Sequence, residues 1–150
     1  MTHIEVRIAA PRERVYAALV DRDDVARWRF PAGMTCTVDE WDAREGGSVR
    51  VSLTYTGDGL GKSSGRTDTY TGRFVELVPD ERVVEVDEFE TDDPAFAGEM
   101  RMTIALADDG DATLLVAEHQ GLPDGIRPED NETGWREALD RLAALVERQD

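Results

Sequence analysis

The sequence has few of the residues that crosslink a chain or hold it in a membrane. Cys36 is its only cysteine, so an internal disulfide and a cysteine-based metal site are both excluded. No apolar run approaches the roughly 18 residues that a membrane-spanning helix needs. The first residues also lack the basic and then apolar order of a signal peptide. We therefore expect a single domain over residues 1–150, located in the cytoplasm.

Positive charge is also scarce. The 150 residues include 33 acidic and 17 basic side chains, and Lys62 is the only lysine. The formal net charge of -16 would repel nucleic acid and an anionic membrane surface. We therefore expect neither nucleic acid nor a membrane as a partner.

One glycine-rich stretch has the ending of a phosphate-binding loop but not its spacing. The stretch "TGDGLGKSSG" at residues 56–65 contains Gly61 and Lys62, yet Gly57 is one position away from where the first glycine of that loop belongs. Strand-like sequence follows where the loop would need a helix. The stretch is better interpreted as a hairpin tip between two strands.

Metal and nucleophile motifs are missing as well. His3, Cys36 and His119 do not have the spacing of metal ligands, and no G-x-S-x-G motif occurs. Paired acids such as those in "DDGDA" do not supply the ligands of a calcium loop. We therefore expect no metal and no cofactor.

The first part of the chain predicts one strand and two short helices. Residues 3–9 alternate between apolar and polar side chains, which indicates a strand. Pro11 suits the first turn of a helix, and residues 12–20 follow with apolar side chains at helical spacing. Asp21 is a candidate N-cap for a second helix over residues 22–28.

A period of two dominates the middle of the sequence. Short turns join the alternating runs, which is typical of an antiparallel meander. Gly46 and Gly47 are expected to set the first of these turns, because glycine accepts a positive φ. The six predicted strands cover residues 35–43, 48–56, the region around 70–74, 83–90, 100–106 and 112–120.

The final segment predicts a long helix. It covers residues 127–150, with Asp130 or Asn131 as the candidate N-cap. At 1.5 Å per residue, the apolar stripe on one face is ~16 Å long. A helix with such a stripe must pack on another apolar surface, and the predicted sheet is the only large one available. The stripe consists of Trp135, Leu139, Leu142 and Val146.

These elements predict an α+β fold of order β-α-α-β6-α, in which a curved antiparallel sheet wraps around a long C-terminal helix. A twisted sheet cannot follow a straight helix along its whole length, so we expect a gap between them. Aromatic and methionine side chains in the gap would suit a mostly apolar ligand, although the same residues would also form an ordinary core. The candidate lining residues are Trp28, Met34, Leu53, Tyr55, Tyr70, Phe74, Phe89, Met100, Met102, His119, Trp135 and Leu139.

His119 lies near the end of the last predicted strand. It faces the gap if Leu115 and Ala117 do, and it faces away if Leu114 and Val116 point inward instead. An inward His119 would make a structural hydrogen bond or act as an acid or base, and the sequence leaves both roles open. It is the one weak candidate for a catalytic residue.

Five stretches of the chain have the pattern of a known family. They are "IAAPRERVYAALVD", "VARWRFPAGM", "DAREGGSVRV", "GRFVELVPDERVVEV" and "GLPDGIRPEDNETGWREALDRLAALVE". Together they resemble the SRPBCC (START-like, helix-grip) superfamily, and within it the group of homologues of the activator of heat-shock-protein-90 ATPase. The pair Gly134 and Trp135 at the long helix is the most specific part of the resemblance. The resemblance as a whole implies a helix-grip fold with a cavity of ligand size.

Three functions are compatible with this resemblance. The leading hypothesis is binding of a small, largely apolar molecule between the sheet and the C-terminal helix. The alternatives are an enzyme of cyclase or hydrolase type that uses His119, and a co-chaperone-like module that activates an ATPase. The eukaryotic co-chaperone has a further N-terminal domain for which this chain has no room, so we do not expect a chaperone partner. The sequence leaves homodimer formation open.

Overall fold

The computed structural model describes residues 2–56 and 67–147. Within these ranges the predicted α+β order β-α-α-β6-α is confirmed, with one additional turn of 3-10 helix. The hairpin tip predicted at 56–65 lies outside the described residues from residue 57 onward. The elements are β1 (Thr2–Ile8), α1 (Arg12–Val20), α2 (Arg22–Trp28), β2 (Met34–Trp41), β3 (Ser48–Tyr55), β4 (Thr67–Val78), β5 (Arg82–Phe89), the 3-10 helix (Pro94–Phe96), β6 (Met100–Asp109), β7 (Ala112–Gln120) and α3 (Pro128–Glu147).

The strands of the described residues form a single antiparallel sheet. Its order is β1-β7-β6-β5-β4-β3-β2, so the first two strands of the chain lie at opposite edges. Helices α1 and α2 carry the chain from one edge to the other. The pairing register shifts between Val38 and Glu40 in β2 and between Phe74 and Glu76 in β4. Such bulges bend strands and increase their twist, and the sheet here curls into a half-barrel.

The two short helices pack their apolar faces into the core. On α2 the predicted N-cap is confirmed, because the Asp21 carboxylate accepts a 2.9 Å hydrogen bond from the Asp24 backbone N–H. Pro11 occupies the position just before α1. The buried residues of the two helices are Val15, Ala18, Leu19, Val25 and Trp28.

The turn between β2 and β3 depends on two glycines, as the sequence predicted. Gly46 has a φ of +82°, which few other residues adopt. A Cβ on Gly47 would lie only 1.9 Å from the carbonyl oxygen of Asp42. Arg44 donates a 2.7 Å hydrogen bond to the Asp42 carboxylate across the same turn.

Helix α3 lies on the inner face of the curled sheet. Leu139, Leu142 and Val146 of the predicted stripe are buried, and Trp135 is half-buried. The core cluster that they join includes residues of β1, of β3 to β7, and of the two short helices. None of the helices in residues 2–56 and 67–147 combines the length and the apolar character that crossing a membrane requires.

The predicted N-cap of α3 is wrong. Asp130 and Asn131 both lie inside the helix, which begins at Pro128. Proline suits the first helical position because its missing N–H would have no partner there. The carbonyl of Arg127 already accepts hydrogen bonds from the backbone N–H groups of both Asp130 and Asn131.

Candidate functional site

A pocket of about 420 Å³ lies between the sheet and the first half of α3. Strands β2 to β7 form its floor, and the segment after α2 and the residues just before α3 form its sides. All of its lining residues on α3 fall between Asp130 and Ala138, so the second half of the helix takes no part. The sheet and helix therefore separate at one end and pack closely at the other.

Most of the candidate lining residues from the sequence border this pocket. Their aromatic rings and thioethers make the larger part of its wall apolar, and charged and amide side chains contribute the rest. Whether they contact a ligand stays a prediction. The nine residues are Met34, Leu53, Tyr55, Tyr70, Phe89, Met100, Met102, His119 and Trp135.

Trp28, Phe74 and Leu139 are packed in the core and do not line the pocket. The Trp28 indole donates a 2.9 Å hydrogen bond to the carbonyl of Ala18. The ring of Phe74 stands edge-on to Trp41, with 5.1 Å between ring centroids. Leu139 lies one turn further along α3 than Trp135, where the helix already contacts the core and no gap remains.

Beside the pocket lies a buried ion pair that the sequence did not predict. Arg29, just after α2, donates two hydrogen bonds of 2.9 and 2.6 Å to the carboxylate of Glu85 on β5. The exposed fractions of the two side chains are 6% and 0%. The carboxyl of Asp87 follows on the same face of β5, with one oxygen 3.7 Å from the guanidinium. Two acids therefore share one arginine.

The two acids hold their protons differently. Burial raises the pKa of Glu85, but the attraction of Arg29 outweighs it, so the pKa lies below that of an ordinary glutamate. Burial, and then the neighbouring charge of Glu85, raise the pKa of Asp87 well above its usual value. Glu85 is accordingly the acid that pairs with Arg29 as a carboxylate, and Asp87 is the acid that holds its proton more strongly.

Arg29 also lies against three aromatic rings. Its guanidinium carbon is 5.4 Å from the centroid of Tyr70, 5.6 Å from that of Trp135 and 5.8 Å from that of Trp41. At these distances the ring faces attract the cation. Tyr70 and Trp135 both line the pocket, so the arginine joins the floor of the pocket to its helical side.

His119 lines the pocket, and Leu115 and Ala117 on the same face of β7 are buried in the core, which resolves the orientation of the last strand. Its Nδ1 lies 3.2 Å from the amide nitrogen of Asn131, and its ring stands edge-on to Trp135, with 6.0 Å between centroids. Burial, and then the charge of Arg29, lower the pKa of His119 to about 4. The imidazole is therefore neutral at physiological pH.

An acid–base pair built on His119 is not present among the described residues. Its hydrogen-bond partner is the Asn131 amide, and Glu118 points to the other face of the sheet, where it lies 3.3 Å from His3. The same ranges contain no group of three or more metal-ligating side chains. The geometry supports a positioned hydrogen-bonding group at His119 more directly than a general base.

The sequence contained a signal for the buried acids. In β5, alternation places Val83, Glu85, Asp87 and Phe89 on one face. Because Phe89 was predicted to point inward, Glu85 and Asp87 should have been assigned to the same face. Nothing in the local pattern of Arg29 distinguishes it from an exposed arginine that follows a short helix.

A comparison with known families identifies the chain. The family model described as Activator of Hsp90 ATPase homolog 1-like protein matches residues 9–147. The chain belongs to this family. The resemblance to the SRPBCC superfamily that the sequence motifs indicated is thereby confirmed.

Solved structures agree with the family assignment. A crystal structure of a protein from Chromobacterium violaceum is 38% identical to this family member, with a TM-score of 0.85 and 99% of each chain covered. A protein from Rhodobacter sphaeroides is 25% identical, with a TM-score of 0.77, and the match covers 97% of this chain and 92% of that one.

The fold also extends to more distant relatives. The AHSA1 protein of Silicibacter pomeroyi is 20% identical with a TM-score of 0.76, and the match covers 97% of this chain and 98% of that one. At this identity the likeness shows a shared fold alone. No protein with a curated description matches the sequence.

Proposed function

We propose that this family member binds a small, largely apolar molecule in the pocket between the sheet and α3. The observation that supports the proposal most directly is the pocket itself, at about 420 Å³ with aromatic and methionine side chains on its wall. Ligand sites in proteins have volumes of roughly 300–1,000 Å³ and are lined mainly by such side chains. Methionine side chains adapt to irregular ligand shapes.

The charge arrangement supports an apolar occupant as well. Arg29 and Glu85 neutralise each other, and burial together with the charge of Glu85 raises the pKa of Asp87 well above its usual value. Neutral His119 adds no charge. The other charged side chains on the lining are Asp68, Asp130 and Arg127, and Arg127 lies 3.4 Å from the carboxylate of Glu129. Each arginine on the described lining therefore has an acidic partner, so an anionic ligand would find little to compensate its desolvation. The SRPBCC fold, moreover, commonly binds hydrophobic ligands.

Binding of the apolar dye Nile red tests the proposal. We expect the protein to bind the dye, and Leu53→Trp to weaken its affinity by about tenfold or more, because the indole would occupy part of the pocket. Leu53 suits this change because it lines the pocket and is only half-buried, so the larger ring does not have to enter the packed core. Dye fluorescence at equilibrium measures the affinity.

Val75→Trp is the matched control. Val75 lies on β4 with 37% of its surface exposed and is not part of the pocket. The same ring placed there should leave dye binding unchanged. The proposal would be overturned if a panel of apolar dyes failed to bind, or if both tryptophan variants bound Nile red as the wild type does. Organic extraction of the purified protein followed by mass spectrometry would identify a retained ligand.

The location and partners stay predictions from the sequence. These are a cytoplasmic location and the expectation of no nucleic-acid, membrane or chaperone partner. The co-chaperone alternative called for a sizeable exposed apolar patch, and Val75 is the one exposed large hydrophobic residue within the described ranges.

A further inference from the structure

The side chain of His119 presents a fixed hydrogen-bond donor. The Asn131 amide nitrogen donates to the hydroxyl of Thr2 at 2.9 Å and lies 3.2 Å from His119 Nδ1. An amide nitrogen can only donate, so Nδ1 must be the acceptor. The single proton of the neutral ring is then on Nε2. Among residues 2–56 and 67–147, no group accepts a hydrogen bond from this Nε2–H.

Tyr70 presents a second donor to the same pocket. Its ring is held edge-on to Phe89, with 6.4 Å between centroids, and lies against Arg29. Burial raises the pKa of the phenol well above 10, so the hydroxyl keeps its proton. Within the described part of the chain no hydrogen bond engages this hydroxyl. Tyrosine hydroxyls usually find a partner when they are buried.

The charges around the pocket argue against an anionic partner for these donors. Arg29 is engaged by Glu85, and Arg127 at the rim lies 3.4 Å from the carboxylate of Glu129. The other charged side chains on the lining are acidic, and the whole chain has a net charge of -16. A carboxylate or phosphate would enter against this field, whereas a neutral oxygen acceptor would not.

We propose that the pocket selects a neutral, mostly apolar molecule bearing an acceptor oxygen, such as a ketone carbonyl, that accepts a hydrogen bond from His119 Nε2–H, with Tyr70 as the second donor. This inference rests on the proposed function and specifies its ligand class. At roughly 30 Å³ per water molecule, the volume of about 420 Å³ corresponds to about 14 waters. A compact molecule of two or three fused rings fits that space.

A matched pair of probes isolates the acceptor oxygen. Fluorene and 9-fluorenone share one fused-ring frame, and the second has a carbonyl where the first has a CH₂ group. After each affinity is corrected for the partition of the probe between water and cyclohexane, we expect the wild type to keep a preference for 9-fluorenone of about fivefold or more. Equilibrium dialysis measures both affinities on the full chain.

Three variants assign the preference to the donors. His119→Phe keeps a ring against Trp135 but removes the N–H, so the preference should fall towards one, and Tyr70→Phe should reduce it partly. His119→Gln places an amide N–H near the position of Nε2 and should retain much of the preference. His3→Phe is the matched control, because His3 is the only other histidine and lies exposed on the opposite face of the sheet. It should leave the preference unchanged.

The carbonyl stretch of bound 9-fluorenone gives a readout that needs no variant. A hydrogen bond should shift it to lower frequency than in cyclohexane. The inference is overturned if the stretch is unshifted, if fluorene and 9-fluorenone bind equally after correction, or if the preference survives in both His119→Phe and Tyr70→Phe. In each of these cases the proposed function stands, because a probe is bound. Failure of both probes to bind would instead overturn the proposed function.

Discussion

His119 and His3 lie on opposite faces of two paired strands, and their surroundings shift their pKa values in opposite directions. Burial and Arg29 lower the pKa of His119 to about 4. Hydrogen bonds from the imidazole to the carboxylates of Glu5 and Glu118 raise the pKa of exposed His3 above 6.5. In an NMR titration we expect His3 to protonate first as the pH falls and His119 to stay neutral down to about pH 4. The reverse assignment would contradict the buried position of His119.

The low pKa of His119 also links folding to pH. Between its folded pKa of about 4 and its unfolded value near 6.5, the unfolded chain binds more protons at this site than the folded chain. The contribution of His119 to the free energy of unfolding is therefore complete above pH 6.5 and is lost as the pH falls towards 4. His119→Gln should remove this part of the pH dependence in urea titrations.

Removing only one partner of the Arg29–Glu85 pair should lower the free energy of unfolding strongly. Arg29→Met leaves a buried carboxylate without its partner, and we expect the free energy of unfolding to fall by about 3–5 kcal/mol. The double variant Arg29→Met with Glu85→Leu should recover most of that loss, because no unpaired charge remains. Urea unfolding measures each value.

An exposed pair provides the comparison. Arg50 donates hydrogen bonds of 2.8 and 2.9 Å to Glu90, with 38% and 39% of the two side chains exposed. Arg50→Met should cost about 1 kcal/mol or less, since water replaces the lost partner. Equal costs at Arg29 and Arg50 would mean that burial of the Arg29 pair is not what makes it sensitive.

At the scale of the secondary-structure elements, α3 has two halves with different roles. The first half borders the pocket, and the second half fills the core. Leu142 in the second half is fully buried, so Leu142→Ala should lower the free energy of unfolding by about 2–5 kcal/mol. Leu145→Ala removes the same atoms from a half-buried position and should cost clearly less. Chemical denaturation followed by circular dichroism compares the two, and similar losses would contradict this division of the helix.

The elements themselves could be predicted from sequence periodicity. Strands β3 and β6 show clean alternation, and α3 shows a stripe at helical spacing, so both kinds of element follow from which residues avoid water. The N-cap of α3 was misassigned because Asp130 and Asn131 have good capping side chains. The local preference of these residues for capping positions could not reveal that the Asn131 side chain contacts Thr2 and His119, which lie elsewhere in the sequence.

At the scale of the whole molecule, the architecture was predictable and the exact extent of the pocket was not. An apolar stripe shows that one face of a helix is covered by other residues. It does not show where along the helix a curling sheet moves away from that face. Leu139 and Trp135 are both on the stripe, yet only Trp135 lines the pocket. The buried Arg29–Glu85 pair was missed for a related reason, since charged side chains are buried only when a distant part of the chain supplies a partner.

The sheet order has a consequence for how the protein is made. Strand β1 pairs with β7, and Thr2 lies opposite His119, so 119 − 2 = 117 residues separate them. At synthesis rates of about 5–20 residues per second, β1 leaves the ribosome about 6–23 s before its native neighbour exists. Throughout that interval the growing polypeptide contains β1 without its pairing partner. The sheet edge that β1 completes can form only after β7 has been synthesised.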